Sequence, residues 1–367
     1  MAPVIRRLTR LLTTHLDGQL LVAILLLMAV GLITIFSGSN QSLTRVSSQL
    51  ANMLVALSVM YAFANIPPHY LTRIALPLYV LGVLLLICVA LFGDIVNGAR
   101  RWLYIGVSRI QPSELMKIAV PLMLAWYFDR YETTLKLKNY IVAVVLLVVP
   151  IGLIVRQPDL GTALLISAAG GYVLFLGGLS WRVIIGLGVA GAACMPFVWP
   201  LLHDYQRQRI LTLIDPTLDP LGTGYHTIQS TIAVGSGGII GKGWLQGTQT
   251  HLDFIPERTT DFIFAVYSEE FGLLGNMLLL FLLLLVIARG IVITANAPTL
   301  FTRLFGGAIT LTFFTYAFVN MGMVSGILPV VGVPLPLISY GGTSLVTICL
   351  GLGILMSIET HKKLVQS

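Results

Sequence analysis

The chain has 367 residues, of which 56% are hydrophobic and only 10% are charged. Its mean hydropathy is +0.91. Because a soluble globular protein carries about a quarter charged residues, this composition excludes an ordinary water-soluble domain and predicts an integral membrane protein. The formal net charge is +7, but no basic run with interleaved aromatic residues occurs, so we expect no nucleic-acid partner.

Apolar runs of membrane-spanning length recur along the whole sequence. A helix needs about 20 mostly apolar residues to cross the hydrocarbon core of a bilayer. We therefore predict an all-α polytopic membrane protein, one domain over residues 1–367, with about ten transmembrane helices. The predicted spans lie near residues 19–36, 48–66, 74–93, 113–128, 140–155, 160–178, 182–201, 262–288, 304–328 and 343–358.

The basic residues predict how the chain is oriented. Arg6, Arg7 and Arg10 precede the first span as in a secretory signal, but no small-residue cleavage site follows, so we interpret this span as an uncleaved helix. With an even number of spans, both termini lie on one side. Twelve of the 22 Lys and Arg residues fall on that side, against six in the short connections opposite. Basic residues favour the cytoplasmic side, so both termini are predicted to be cytoplasmic.

One connection, near residues 202–261 between the seventh and eighth spans, is too long for a simple loop. We predict that it is extracytoplasmic and forms short helices and tight turns that cover a cavity. Its glycine cluster, residues 235–243, lacks the spacing of a nucleotide-binding P-loop. A second irregular stretch, residues 329–342, lies near membrane depth and must be buried in protein or line water.

Asp261 ends this long connection and directly precedes an apolar helix. Two interpretations are open. Asp261 is either a helix N-cap, for which aspartate is favoured, or a general base at the mouth of a partly dry cavity, where desolvation raises the pKa of a carboxyl group. Glu269 and Glu270 lie deeper in the same span and need a partner or a polar cavity, since an isolated charge there is costly.

A second group of charged residues lies near the outer ends of the predicted spans. Glu114 and Lys117 are three residues apart on one helix, so they either neutralise each other or act in substrate binding. In the second interpretation, Lys117 belongs to a cationic lining for a phosphate-bearing head group. The other candidates for this lining are Arg101, Arg109, Arg156, Lys242 and Arg258.

Five motifs spread along the chain carry a family resemblance. They are QPSELMK at 111–117, RQPDLGT at 156–162, GSGGIIGKG at 235–243, FIPERTTDFIF at 254–264 and GILPVVGVPLPLISYGGTS at 326–344. Together with Asn320, these motifs resemble the SEDS family (shape, elongation, division and sporulation) of bacterial cell-wall polymerases. The resemblance covers essentially the whole chain and is to the elongation branch rather than the division branch.

The resemblance implies a peptidoglycan glycosyltransferase of the bacterial inner membrane. Such an enzyme joins lipid II units into a β-1,4-linked glycan with inversion and releases undecaprenyl pyrophosphate. It works with a class B penicillin-binding protein of the elongation machinery. The resemblance also places the family's essential aspartate at Asp261, and a pair that lines the same cavity at Glu114 and Lys117.

The expected chemistry needs few protein groups. Pyrophosphate is a good leaving group, so one carboxylate base, with cations or a divalent metal on the phosphates, is sufficient. No residue set in the sequence fixes a metal site, so a requirement for Mg or Mn stays open. A lipid II flippase or transporter, and a non-catalytic scaffold for the penicillin-binding protein, are the alternative functions.

Overall fold

The structure is a computed structural model that describes residues 16–362 except 97–98, 106–107, 132–135, 158, 202–203, 219–222, 253 and 256. Helices dominate the described residues, as predicted. They are α1 (Gly18–Gly38), α2 (Leu43–Ala64), α3 (Pro68–Phe92), α4 (Pro112–Arg130), α5 (Leu137–Val155), α6 (Leu160–Leu176), α7 (Trp181–Val198), α8 (Asp204–Ile214), α9 (Thr223–Ser236), α10 (Thr248–His251), α11 (Ile263–Ala295), α12 (Leu300–Val324) and α13 (Thr343–His361).

Many of these helices can cross a membrane. Within the described residues, seven helices are long and apolar enough to do so, namely α1, α2, α3, α5, α11, α12 and α13. The shorter helices α6 and α7 are also apolar. The prediction of a multi-pass helical membrane protein is therefore confirmed in its coarse form.

Three short strands between α3 and α4 were not predicted. β1 (Asp94–Val96), β2 (Ala99–Ile105) and β3 (Ser108–Ile110) form an antiparallel sheet in that order. The sequence places Asn97-Gly98 between the first two strands, a dipeptide typical of two-residue hairpin connections. The strands are too short for their apolar alternation to stand out, so this dipeptide was the available signal.

Local capping explains where two of the helices begin. Pro112 occupies the first turn of α4, where its missing N–H costs no hydrogen bond. Asp159 is the N-cap of α6, and its carboxylate accepts a hydrogen bond from the N–H of Thr162 at 3.2 Å. Both helix starts agree with the predicted spans, which begin near residues 113 and 160. Pro158, in the motif that precedes α6, lies outside the described residues.

An ionic cluster joins the start of the bundle to its end. Arg289, near the end of α11, contacts Asp17 at 2.6 Å and Glu359 at 3.4 Å, and Lys362 contacts Glu359 at 2.7 Å. Burial alone would raise the pKa of Asp17, but hydrogen bonds from Arg289 and from the N–H of Leu20 hold it below its usual value. The first helix therefore begins, and the last helix ends, at the same end of the bundle.

Helix α11 is broken at Gly272, which has φ 63° and ψ −159°. Before the break, the carbonyl oxygens of Glu269 and Glu270 accept hydrogen bonds from the N–H groups of Lys242 and Gly243, each at 3.0 Å. The two N–H groups after the break donate to the carbonyl oxygens of Gly238 and Ile239, at 2.9 and 3.0 Å. The glycine cluster thus completes a broken helix rather than forming a phosphate-binding loop.

Candidate active site

Asp261 lies in the turn that leads into α11 and is half-buried. The N-cap of α11 is Phe262, whose side chain makes no capping hydrogen bond. Asp261 therefore lies one position before the N-cap, whereas one of the two interpretations of the sequence placed it at the N-cap itself. Its role as a general base stays a prediction.

Two side chains from distant parts of the chain hold the main chain of this turn. The fully buried amide of Asn320, on α12, donates from Nδ2 to the carbonyl oxygens of Asp261 at 2.8 Å and Val333 at 2.7 Å. The hydroxyl of Ser339 donates to the carbonyl oxygen of Thr260 at 2.7 Å. The irregular stretch 329–342 is thereby fastened to the Asp261 turn.

Small residues let the main chain approach the Asp261 carboxylate. Gly332 has φ 73°, and a Cβ atom there would lie 3.2 Å from Oδ2 of Asp261. A Cβ atom on Gly161, at the start of α6, would lie only 2.6 Å from the carbonyl oxygen of Val331. Glycine is therefore required where the second motif meets the 329–342 stretch, and it is favoured beside the carboxylate.

Glu114 and Lys117 form the ion pair that their spacing predicted. Lys117 Nζ lies 2.6 Å from Glu114 Oε1, and the two side chains are only 6% and 16% exposed. The hydroxyl of Thr347, on α13, donates to the other carboxylate oxygen of Glu114 at 3.2 Å. The ammonium group of Lys117 also lies 5.4 Å from the ring centroid of Tyr316, within cation–π range.

One face of α12 connects this pair to the Asp261 turn. Tyr316, which contacts Lys117, and Asn320, which binds the main chain of Asp261, are four residues apart and so lie on the same side of the helix. Gln111, just before α4, donates to the carboxylate of Asp159 at 3.1 Å. The structure therefore brings the motifs at 111–117, 156–162, 254–264 and 326–344 into one region.

Three of the predicted cations belong to the segments around the strands and α5. Arg101, on β2, donates from Nε to the carbonyl oxygen of Gln157 at 3.3 Å. Arg156 is exposed at the C-terminus of α5. Arg109 lies on β3, and its side chain is outside what the structure describes. Arg101 and Arg156 are at the same end of the bundle as Glu114. Their role in phosphate binding stays a prediction.

The other two predicted cations stabilise the segment that precedes α11. Lys242 Nζ lies 2.7 Å from Oε1 of the fully buried Glu269, and Arg258 donates to the carbonyl oxygen of Thr250. Glu269 also accepts hydrogen bonds from the N–H groups of Gln249 at 2.8 Å and Thr250 at 3.1 Å. The partner that the sequence required for this intramembrane acid is therefore Lys242, whose charge is already matched.

His226, on α9, was not predicted as a site residue from the sequence. Its ring stacks on Phe262, the residue after Asp261, with centroids 5.8 Å apart and planes 19° apart. Its Nδ1 atom is buried and has no hydrogen-bond partner among the described residues. Burial lowers the pKa of His226, although the nearby Glu257 acts in the opposite direction, so the imidazole is neutral at pH 7.

An apolar groove of about 550 Å³ opens beside the ion pair. Side chains of α2, α3, α4 and α13 line it, and most of them are aliphatic or aromatic. Its polar members include Gln111 and Glu114, at the first turn of α4. The groove thus leads from charged groups at one end into an apolar interior.

The donor set does not by itself define a metal centre. Among the described residues, no group of three or more His, Cys, Asp and Glu side chains is arranged to hold a metal ion. Whether the reaction requires Mg or Mn stays a prediction.

Fold and site together define a multi-pass helical membrane protein with a charged site at one end. Residues 15–364 match the family described as cell cycle protein, which comprises FtsW, RodA and SpoVE. The chain belongs to this family, and the SEDS resemblance of the sequence is confirmed.

Named relatives and solved structures cover nearly the whole chain. It is 51% identical over 351 residues to peptidoglycan glycosyltransferase MrdB of Escherichia coli K12, covering 95% of each chain. It is 30% identical over 423 residues to peptidoglycan glycosyltransferase RodA of Treponema pallidum, covering 94% of this chain and 98% of that one. Rod shape determining protein RodA of Thermus thermophilus superposes with a TM-score of 0.72 at 27% identity, covering 95% and 97%.

A further solved structure is that of a peptidoglycan synthase complex that coordinates polymerization and crosslinking. One of its chains superposes on this chain with a TM-score of 0.82 at 34% identity. The match covers 95% of this chain and 98% of that one. A relative of this protein therefore takes part in an assembly that performs both steps.

Proposed function

We propose that the chain is a peptidoglycan glycosyltransferase that polymerises lipid II into β-1,4-linked glycan, with Asp261 as the general base. The observation that carries the proposal is the fixed position of the Asp261 carboxylate beside Gly332, with its main chain held by the buried Asn320. The relatives named as peptidoglycan glycosyltransferases support the reaction class.

The reaction needs one proton transfer and one bond exchange. Asp261 accepts the proton of the acceptor sugar's 4-hydroxyl group while that oxygen attacks the anomeric carbon of the donor. The bond from this carbon to the pyrophosphate oxygen breaks on the opposite face, so the configuration inverts. Undecaprenyl pyrophosphate leaves with its negative charge, which cationic side chains stabilise electrostatically.

The candidates for this stabilisation are not equivalent. Lys117 is paired with Glu114, and Lys242 with Glu269, so each contributes little net charge unless its partner is displaced. Arg156 is exposed and its side chain is accessible to a phosphate. We propose that Arg101, Arg156 and Arg258, with Arg109, contact the pyrophosphate, and that Lys117 shapes the cavity from within.

The apolar groove is suited to the lipid part of the substrate. Its volume of about 550 Å³ and its aliphatic walls fit a length of polyprenyl chain. Glu114 and Gln111 at its polar end face the region where the head group meets the site. We propose that one lipid II molecule lies with its chain in this groove and its pyrophosphate towards Asp261.

The proposed topology has ten spans in one domain. Helices α4, α6 and α7, added to the seven long apolar helices, make ten. Arg289 joins Asp17 to Glu359, which agrees with an even number of spans and with termini on one side. We propose that this side is the cytoplasm, that the membrane is the bacterial inner membrane, and that the segment of residues 202–261 is extracytoplasmic.

The proposed partner is a class B penicillin-binding protein of the elongation machinery. The related chain in a complex that coordinates polymerization and crosslinking supports such a pairing. A divalent cation, if the reaction uses one, would be held mainly by the pyrophosphate oxygens, because the described residues provide no cluster of three ligands.

Polymerisation by the purified chain tests the proposal. The full chain in detergent is incubated with lipid II, with and without a chelator, and the glycan products are separated by length. We expect polymers, whereas a flippase or a scaffold would leave lipid II unchanged because detergent offers no transport direction. Loss of polymer only in the presence of chelator would show that the reaction requires a divalent cation. Absence of polymer under every condition would refute the proposed glycosyltransferase activity.

A further inference from the structure

The loop of residues 237–245, called here the glycine loop, is pressed against the broken part of α11. A Cβ atom on Gly237 would lie 2.1 Å from the carbonyl oxygen of Ser268, and one on Gly241 would lie 2.1 Å from that of Glu270. Side chains at these positions would separate the loop from the helix. The main chain of the glycine loop therefore packs directly against the main chain of α11.

The side chains at the tip of the loop point away from the protein. Ile239 is 67% exposed and Ile240 is 77% exposed. They continue the exposed apolar face of α11, where Leu273, Leu274 and Met277 are also exposed. Because α11 is long and apolar enough to cross the membrane, lipid covers this face of the helix, and the same surface extends onto the loop.

Trp244 extends this surface to α1. Its ring lies 5.9 Å from the ring of Phe36, and its indole N–H donates to the carbonyl oxygen of Ile33 at 3.3 Å. Ile33 is itself an exposed residue of an apolar helix. Tryptophan is enriched where apolar chains meet the polar head groups of a bilayer.

The loop also exposes no uncompensated charge. Lys242 is the only Asp, Glu, Lys or Arg residue between positions 227 and 252. Its ammonium group turns inward to Glu269 at 2.7 Å and to the hydroxyl of Thr248 at 2.7 Å. If this surface faced water or a polar partner, the ammonium group of Lys242 could remain exposed without cost.

We propose that the glycine loop is a re-entrant element that enters the bilayer, where Ile239, Ile240 and Trp244 contact membrane lipid. Irregular main chain is tolerated at membrane depth only when its polar groups are satisfied. Here the groups freed by the break in α11 bind the loop, and the loop binds them in return. The partner of this surface is lipid rather than protein, since the surface is continuous with two helices of membrane-spanning length.

Spin labelling in a bilayer tests this placement. Cys88, Cys194 and Cys349 are first replaced by Ala in the full chain, and a nitroxide is attached to Ile240→Cys. The protein is reconstituted into vesicles of phosphatidylethanolamine and phosphatidylglycerol. Relaxation by oxygen, which concentrates in lipid, is compared with relaxation by the water-soluble chelate Ni-EDDA.

Two control positions calibrate the measurement. Met277→Cys reports the lipid-facing surface of α11, and Gln208→Cys reports an exposed polar position on α8. We expect the label at 240 to resemble that at 277, with oxygen accessibility exceeding Ni-EDDA accessibility. A label at 240 that resembles the one at 208 would overturn the proposal and leave the surface to a protein partner. If Ile240→Cys fails to fold, Ile239→Cys gives the same comparison.

Discussion

The side chain of Asn320 holds the main chain of Asp261 in place, through a hydrogen bond of 2.8 Å from Nδ2 to the carbonyl oxygen. The same amide nitrogen also donates to the carbonyl oxygen of Val333 at 2.7 Å, and Val333 follows Gly332, where a Cβ atom would lie 3.2 Å from Oδ2 of Asp261. One buried amide thus fixes both the turn that carries the carboxylate and the chain segment beside it.

Replacing Asn320 by Ala should lower both stability and polymerisation rate. The carbonyl groups of the buried Val333 and the half-buried Asp261 lose their donor, and an unsatisfied buried group costs about 1–3 kcal/mol. Thermal unfolding in detergent and the rate of glycan synthesis measure the two effects. Asn296→Ala is the matched control, because Asn296 is exposed and, within the part of the chain that the structure describes, its side-chain amide binds only the local carbonyl oxygen of Val292. Equal rates for the two variants would contradict a positioning role for Asn320.

The ion pair of Glu114 and Lys117 should behave differently in stability and in activity. Each single change, Glu114→Gln or Lys117→Met, leaves a nearly buried charge unpaired and should cost about 3–5 kcal/mol. The double variant should regain most of the unfolding temperature, because no uncompensated charge remains. Its polymerisation rate should stay as low as that of Lys117→Met if the lysine also shapes the substrate cavity.

A second pair with the same spacing provides the control for this cycle. Glu359 and Lys362 lie 2.7 Å apart at the opposite end of the bundle. The same cycle of variants there should leave the polymerisation rate unchanged. Rescue of the rate by the double variant at 114 and 117 would instead assign Lys117 a purely structural role.

Gly272→Ala should destabilise the protein markedly. At φ 63° and ψ −159° the main chain is in a region that essentially only glycine adopts, which costs another residue about 1–3 kcal/mol. A Cβ atom would also lie 2.3 Å from the amide nitrogen of Gly241. Gly235→Ala is the control, since nothing lies within 4 Å of its Cβ position. Similar unfolding temperatures for both variants would rule out the broken helix.

Much of the fold follows from local sequence, but the site does not. The starts of α4 and α6 were predictable because Pro112 and Asp159 act within one helical turn. Contacts such as that of Asn320 with Asp261 join residues 59 positions apart, so no local pattern reports them. The break at Gly272 was equally hidden, because a glycine inside an apolar run carries no sign of the loop that fills it.

Family motifs supplied what local patterns lacked. They marked Asn320, and they predict that Asp261, Glu114 and Lys117 line one cavity. They did not indicate Tyr316 or His226, which reach this region from α12 and α9. Nor did they distinguish a free cation from one such as Lys242, whose charge Glu269 already balances.

Labelling in intact cells tests the topology. A cysteine at Gln208, which is exposed on α8, should react with an impermeant thiol reagent in intact spheroplasts of a strain that carries the cysteine-free chain. A cysteine at Lys138, exposed at the start of α5, should react only after lysis. The opposite pattern would invert the chain in the membrane and remove the long segment from the extracytoplasmic side.

Substitution of Asp261 by Asn tests the central claim most directly. The change removes the base but alters little of the volume, and loss of a general base costs about 100- to 10,000-fold in rate. Asp215→Asn is the matched control, because Asp215 lies in the same segment and accepts hydrogen bonds only from Thr217 among the described residues. With equal unfolding temperatures, we predict that purified Asp261→Asn makes no detectable glycan from lipid II while Asp215→Asn makes normal chains. Glycan of normal length and rate from Asp261→Asn would contradict the account.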